Sequence, residues 1–211
     1  MLEAFPNSFN KEVNAKYTGN PLRKQFQNVP GTKTPIQGRD LQLLIIGGSQ
    51  GAQVLNEVIP DALTSMKNIE VHHQTGVAMQ EQVAKRYQDL GIKAEAIAFI
   101  EDMVSAFQWA DIIICRAGAM TISEVSAMGL PAILIPLPNA IDDHQMANAR
   151  YLSDASAGLI LPQKELNAKN LLGLITKAQQ QLEGMAKAAK QCARLDATES
   201  VAQFCISEAS R

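Results

Sequence analysis

Long apolar runs, cysteine pairs and an excess of one charge are all missing from this sequence of 211 residues. No run reaches the roughly 18 apolar residues of a membrane-spanning helix. The first residues lack the basic start and apolar stretch of a signal peptide. The net charge is −2 and the pI about 5.9. No strong positive field therefore draws in nucleic acid, and we expect no nucleic-acid partner.

Metal-binding motifs are missing as well. The 3 cysteines form no CxxC pair, and a small odd number of them is typical of a protein in a reducing cytosol. The 3 histidines, two of which are adjacent, show no zinc spacing. No DxD motif occurs. We therefore expect no metal ion and no cofactor.

A regular alternation of apolar runs and helical patterns begins at residue 41. Hydrophobic residues make up 46% of the chain and charged residues 19%, which is enough for a sizeable core. Before that point, proline and glycine interrupt residues 1–40, as expected of a linker or crossover. Strands are predicted at 41–46, 69–73, 94–100, 111–115, 131–135 and 158–161. Helices are predicted after residue 52, around 79–90, at 102–109, 121–128 and 143–156, and through 165–211 with breaks near Gly184 and Asp196.

This alternation predicts βαβ units and hence an α/β fold, a Rossmann-like parallel sheet with helices on both faces. The run 41–46 is apolar at nearly every position, which is typical of a strand buried on both faces. Ligands of such sheets bind beyond the carboxyl ends of the strands. The turns that follow the strands are therefore the candidate binding sites.

The first candidate turn is GGSQGA, residues 47–52. Its glycines let backbone N–H groups approach a phosphate at the start of the next helix, and Ser49 adds a hydroxyl donor. The string is neither a P-loop nor a GxGxxG fingerprint. A tight turn whose glycines only satisfy the backbone geometry is an equally good interpretation.

The second candidate turn runs from Arg116 to Thr121 and leads into another helix. Thr121 and Glu124 have the spacing of a capping box, and the spacing alone favours that structural role. Alternatively, the same helix start holds a diphosphate, while Glu124 accepts hydrogen bonds from the vicinal hydroxyls of a ribose.

The third candidate is the loop 136–148, in which two prolines precede a polar cluster. Asp142 or Asp143 can serve as the N-cap of the next helix. His144 and Gln145 can instead hydrogen-bond the hydroxyls of a sugar.

The fourth candidate is FIEDM, residues 99–103, where a strand ends and a short helix begins. Asp102 is predicted to cap that helix. The segment is then either purely structural or an apolar slot for a flat base. Asp196 and Glu199 show capping-box spacing for the final helix.

Six motifs together are far more specific than any one turn. In chain order they are GNPLR (19–23), GGSQGA (47–52), FIEDM (99–103), CRAGAMTISE (115–124), GLPAILIPLP (129–138) and DHQMANA (143–149). This series resembles the C-terminal half of the MurG family of peptidoglycan N-acetylglucosaminyltransferases, from about Phe5 to near the C-terminus. Enzymes of that family move N-acetylglucosamine from UDP onto lipid I, which makes lipid II.

The resemblance implies the C-terminal domain of a GT-B glycosyltransferase with a helical C-terminal tail. Residues 1–38 would be the interdomain linker and a remnant of the N-terminal domain, and 39–211 the domain that binds the UDP-sugar donor. We expect the chain to be part of a longer, inverting enzyme at the cytoplasmic face of the bacterial inner membrane. The lipid I site and the catalytic base would lie in the other half, so this chain alone should bind the donor without turnover.

The resemblance also implies which residues contact UDP-N-acetylglucosamine. They are Arg23, Gly48 and Ser49 for the diphosphate, Phe99, Ile100 and Met103 for the uracil, Arg116, Ala119, Met120 and Thr121 for the diphosphate and sugar, Glu124 for the ribose, and His144 and Gln145 for the N-acetylglucosamine. The family often has glutamine where His144 stands and leucine where Met120 stands.

Three other functions are compatible with the same pattern. The chain can belong to another GT-B enzyme of UDP-sugars, such as an epimerase or a different transferase. It can be a non-catalytic nucleotide-sugar sensor. A dinucleotide-binding oxidoreductase module is less favoured, because GxGxxG is missing and Glu70 lies near the start, not the end, of the second predicted strand.

Overall fold

The computed structural model describes residues 1–6, 8–9, 11–27, 38–48, 52–138 and 144–210. Within these residues the strands are β1 (Leu2–Glu3), β2 (Lys16–Tyr17), β3 (Leu41–Ile46), β4 (Ile69–Gln74), β5 (Ala94–Ile97), β6 (Ile112–Cys115), β7 (Ala132–Leu134) and β8 (Gly158–Ile160). The helices are α1 (Gln53–Ala62), α2 (Gln80–Asp89), α3 (Met103–Trp109), α4 (Ala119–Met128), α5 (His144–Asp154), α6 (Ala168–Gln180), α7 (Leu182–Cys192) and α8 (Ala197–Ala209).

Strands β3 to β8 form one parallel sheet in the order β5-β4-β3-β6-β7-β8. The chain moves outward from β3 through β4 and β5, returns to the centre, and moves the other way through β6, β7 and β8. This is a doubly wound sheet, and its order reverses between β3 and β6. The turns after these two strands therefore lie side by side. The predicted Rossmann-like fold is confirmed.

Each face of the sheet is covered by its own hydrophobic core. Leu43 and Ile45 face a core that also contains side chains of α1, α2 and α6. Leu44 and Ile46 face the opposite core, which is built from α3, α4 and α5. Helix α7 contributes to both cores. Burial on both faces explains why the sequence of β3 is a nearly continuous apolar run.

The amino-terminal segment packs against the face that carries α4 and α5. Phe5 is buried in that core, and its ring lies 4.8 Å from that of Tyr151 in α5. The Tyr151 hydroxyl donates to the Cys192 carbonyl at 2.6 Å, so the Tyr17 hydroxyl, 2.9 Å away, must donate to Tyr151. This hydroxyl chain joins β2, α5 and α7. The assignment of residues 1–38 to an interdomain linker stays a prediction.

Several predicted boundaries differ from those of the structure. Strand β5 ends at Ile97, so the segment before α3 leaves the sheet earlier than predicted. The first break in the helical tail falls at Gln181, whereas Gly184 lies inside α7. The predicted capping box at Asp196 is wrong, because its carboxylate binds Arg194 and the Ser200 hydroxyl and caps no helix amide. No helix in the described part of the chain combines the length and apolar content needed to cross a bilayer.

Candidate functional site

The two glycine-bearing turns meet where the sheet order reverses. Ile46 pairs with Cys115 at the carboxyl ends of β3 and β6, and the next amide, that of Arg116, donates to the Ile46 carbonyl at 3.4 Å. Gly48 has a φ of +96° with open space where a side chain would be, a conformation that favours glycine. Ser49, predicted to contact a diphosphate, lies outside the described residues.

Helix α4 begins earlier than predicted. Its N-cap is Gly118 in an extended conformation, and no side chain of a described residue caps it. Thr121 therefore sits inside the first turn with Ala119 and Met120, and the predicted capping box of Thr121 and Glu124 is wrong. Without a capping side chain, the first amides of the helix remain available to an anionic ligand.

Glu124 is ion-paired with Arg23 instead of capping the helix. The Arg23 Nη2 donates to Glu124 Oε1 at 3.0 Å, and the guanidinium also lies 5.0 Å from the centre of the Phe26 ring. Burial raises the pKa of Glu124 above its usual value, and the hydrogen bond with Arg23 offsets part of that shift. The predicted diphosphate and ribose residues are thus brought together, and in this state they bind each other.

Two asparagines that were not predicted as site residues hold the start of α4 in place. Asn20 Nδ2 donates to the Ala119 carbonyl at 3.2 Å and to the Ser123 hydroxyl at 2.9 Å. Asn148 Nδ2, from α5, donates to the Ala117 carbonyl at 3.0 Å. Both asparagines lie within motifs that carried the family resemblance, which was the one sequence signal for them.

The Arg116 side chain lies along the carboxyl edge of the sheet. Its Nη1 donates to the Ile135 carbonyl at 3.1 Å and the Pro136 carbonyl at 3.4 Å, just beyond β7. Its Nη2 donates to Gln163 Oε1 at 2.7 Å, beyond β8. Burial lowers the pKa of Arg116. The guanidinium is thus at the predicted edge and engaged by protein groups.

The predicted uracil residues surround the start of α3. Ile100 is buried, and Met103 packs partly buried against the same core as α4. Phe99 is 57% exposed, so its ring is available at the rim of the site. Asp102 caps α3 as predicted, accepting from the Ser105 amide at 3.1 Å.

The predicted sugar residues begin α5. Gln145 Oε1 accepts from the Leu137 amide at 2.9 Å, which links the first turn of α5 to the segment after β7. His144 is the exposed first residue of that helix. Asp142 and Asp143, the predicted caps, lie outside the described residues.

These groups line one edge of the domain, because α4 contacts both α3 and α5. The strands that precede these segments are parallel, so the chain brings the predicted base, ribose, diphosphate and sugar residues to the same, carboxyl edge of the sheet. Among the described residues, no three histidine, cysteine, aspartate or glutamate side chains gather as metal ligands would.

Residues 42–204 match the model of the glycosyltransferase family 28 C-terminal domain. The chain belongs to this family. A UDP-N-acetylglucosamine–N-acetylmuramyl-(pentapeptide) pyrophosphoryl-undecaprenol N-acetylglucosamine transferase of Methylococcus capsulatus is 47% identical, covering 99% of this chain and 60% of that protein. The transferase of the same name from Azotobacter vinelandii is 43% identical, with 98% and 59% covered.

A crystal structure of a relative is also similar to this member of family 28. That of Acinetobacter baumannii MurG superposes with a TM-score of 0.82 at 38% identity, covering 96% of this chain and 59% of that one. The chain thus spans about 60% of the length of the relatives it matches.

Proposed function

We propose that this chain is the donor-binding part of an inverting N-acetylglucosaminyltransferase of peptidoglycan synthesis. The donor is UDP-N-acetylglucosamine and the acceptor is lipid I, which the reaction converts into lipid II. Family membership and the names of the relatives support this choice over an epimerase, a sensor or an oxidoreductase.

One observation carries the proposal: the turns that lead into α1 and α4 follow neighbouring strands, β3 and β6, where the sheet order reverses. The N-cap residues of the two helices, Ala52 and Gly118, supply no side-chain capping bond. Two such helix starts offer backbone N–H donors and positive dipole ends to one diphosphate. Phe99, Ile100 and Met103 hold the uracil on one side, and His144 and Gln145 contact the sugar on the other.

Donor binding exchanges partners within the Arg23–Glu124 pair. The ribose hydroxyls donate to the Glu124 carboxylate and displace Arg23, whose guanidinium then turns toward the diphosphate. Arg23 is suited to such a movement because its side chain is 51% exposed, whereas that of Glu124 is 12% exposed.

Transfer requires stabilisation of the leaving UDP. Negative charge grows on the diphosphate as the bond to the sugar breaks, and fixed N–H groups and a nearby guanidinium meet it without reorganisation. Gly48, Ser49, Arg116 and the first turn of α4 supply these groups. We place the catalytic base, the lipid I site and the contact with the cytoplasmic membrane face in the part of the relatives that this chain does not cover.

Isothermal titration calorimetry tests the donor site. The chain is expected to bind UDP-N-acetylglucosamine, with weaker binding of UDP-glucose and no binding of NAD. Glu124→Gln should weaken binding about tenfold, because a charged acceptor is lost. Glu199→Gln, which changes an exposed carboxylate in α8 bonded to Gln203, should change nothing. A chain that fails to bind UDP at millimolar concentration would overturn the proposal.

Repeating the titration with EDTA tests whether a metal takes part. The site residues offer amides, hydroxyls and guanidinium groups to the diphosphate, so we expect chelation to leave the affinity unchanged. Loss of affinity on chelation would show that a metal ion bridges the diphosphate to the protein.

A further inference from the structure

Arg116 joins the ends of four neighbouring strands. Its backbone amide extends the ladder from β6 to β3, and its side chain crosses β7 to reach Gln163 beyond β8. Gln163 opens a single 3-10 turn, and its bond to Arg116, at 2.7 Å, is the shortest that this guanidinium makes. The side-chain amide of Gln163 therefore fixes the position of the Arg116 Nη2 atom.

Among the residues that the structure describes, all the acceptors that hold this guanidinium are neutral. They are the carbonyl oxygens of Ile135 and Pro136 and the side-chain oxygen of Gln163. Among the described residues, no carboxylate lies within ion-pair distance of Arg116. The side chain is fixed in orientation, and no neighbouring group in the described part of the chain compensates its positive charge.

We propose that Gln163 is a positioning residue for donor binding, and that its neutrality matters as much as its hydrogen bond. This inference rests on the proposed function. Gln163 holds the Arg116 guanidinium at the carboxyl edge beside the start of α4, with its full charge available to the diphosphate. A glutamate at this position would hold the same geometry but cancel the charge.

Two substitutions separate the bond from the charge. Gln163→Met has similar length and no acceptor, so it should lower both the thermal midpoint and the affinity for UDP, the affinity by about tenfold. Gln163→Glu keeps an acceptor, so the thermal midpoint should be retained or raised. The affinity for UDP should still fall about tenfold, because the carboxylate neutralises Arg116.

Calorimetry with UDP, ligand-observed NMR with uridine and thermal unfolding of each variant complete the test. Uridine carries no diphosphate, so its binding should be the same in all variants. Gln80→Met is the matched control, since it also removes a glutamine side-chain hydrogen bond at the sheet: Gln80 Nε2 donates to the Ala96 carbonyl of the edge strand β5 at 3.0 Å. It should leave UDP binding unchanged.

The outcomes are distinct. If Gln163→Glu restores UDP affinity together with stability, the role of Gln163 is structural only and the inference is overturned. UDP binding that Gln163→Met does not weaken, or an equal loss for UDP and uridine, overturns it as well. No UDP binding by the unchanged chain overturns the proposed function and this inference with it.

Discussion

Two arginines lie at opposite ends of the central strand pair β3–β6, and their partners differ in charge. At the amino ends, Arg39 donates to both carboxylate oxygens of Asp111, at 2.6 and 2.7 Å. Asp111 also accepts from the Gln42 amide at 2.9 Å. At the carboxyl ends, Arg116 meets only carbonyl and amide oxygens among the described residues.

The pKa shifts of the two guanidinium groups have opposite signs for this reason. The hydrogen bond with Asp111 raises the pKa of Arg39, whereas burial lowers the pKa of Arg116. An arginine neutralised by a carboxylate, such as Arg39, stabilises the sheet and has little positive charge left to attract an anionic ligand. An uncompensated guanidinium contributes less to stability and more to the binding of an anion. Stability and binding are therefore expected to be separable between the two ends.

The largest expected effect is at the amino ends. Asp111→Ala removes a buried carboxylate and leaves Arg39 without its bidentate partner, so the free energy of unfolding should fall by about 3 kcal/mol. Urea unfolding measures this loss. UDP affinity of the folded fraction should not change. The double variant Arg39→Met with Asp111→Leu should recover part of the stability, and a loss of UDP affinity in Asp111→Ala would break the comparison.

Acid should lower the stability of the domain through a buried histidine. Burial lowers the pKa of His73, in β4, from 6.5 to about 3. Below its ordinary pKa, the unfolded chain binds a proton that the folded chain does not, so the free energy of unfolding falls as the pH falls from about 6.5 towards 3. The expected loss between pH 7 and pH 5 is about 2 kcal/mol.

Urea unfolding of His73→Leu at both pH values measures this contribution, and its pH dependence should be smaller than that of the unchanged chain by that amount. His72→Leu is the neighbouring control, because the His72 side chain is 24% exposed and its pKa is lowered less far. An undiminished pH dependence in His73→Leu would mean that another group causes the acid sensitivity.

At the carboxyl ends, Arg116→Lys keeps the charge and loses the planar fork that spans three acceptors. We expect about tenfold weaker UDP binding and a stability loss of about 1 kcal/mol, smaller than that of Asp111→Ala. Arg39→Lys at the other end should have the reverse profile, with a loss of stability and unchanged UDP binding. Equal profiles for the two lysine variants would contradict the division between the ends.

The smallest effect concerns two glycines with positive φ that flank β3. Gly38 has a φ of +80° and Gly48 a φ of +96°, and no atom of another described residue lies within 4 Å of where a Cβ would be at either glycine. Alanine should therefore cost only backbone strain, about 1 kcal/mol at each position. UDP affinity should fall in Gly48→Ala alone. A similar affinity in both variants would remove Gly48 from the proposed phosphate site.

The fold was predictable because its signals are local. Each central strand is buried on both faces, so its sequence is an apolar run. The turns between strand and helix contain glycine or proline, except the one from β5 to α3. The start of α4 was predicted wrongly because that prediction also used only a local signal. The spacing of Thr121 and Glu124 fits a capping box, but a competing partner for Glu124, Arg23, lies 101 residues away in sequence.

The bonds that orient the candidate site are long-range and have no local sequence signal. Gln163 lies 47 residues from Arg116, and Asn20 lies 99 residues from Ala119. Which polar side chain reaches which strand end depends on the order of strands in the sheet. The sequence motifs located the turns, and only the packed structure shows what holds each turn in place.

The hydroxyl chain from Tyr17 through Tyr151 to the Cys192 carbonyl has a mechanical consequence. Tyr151 belongs to the same helix as Gln145 and lies less than two turns further along it. The hydroxyl chain therefore ties the short strand β2 to the helix that carries Gln145 in its first turn. The amino-terminal segment thus shares a rigid support with the proposed sugar residues.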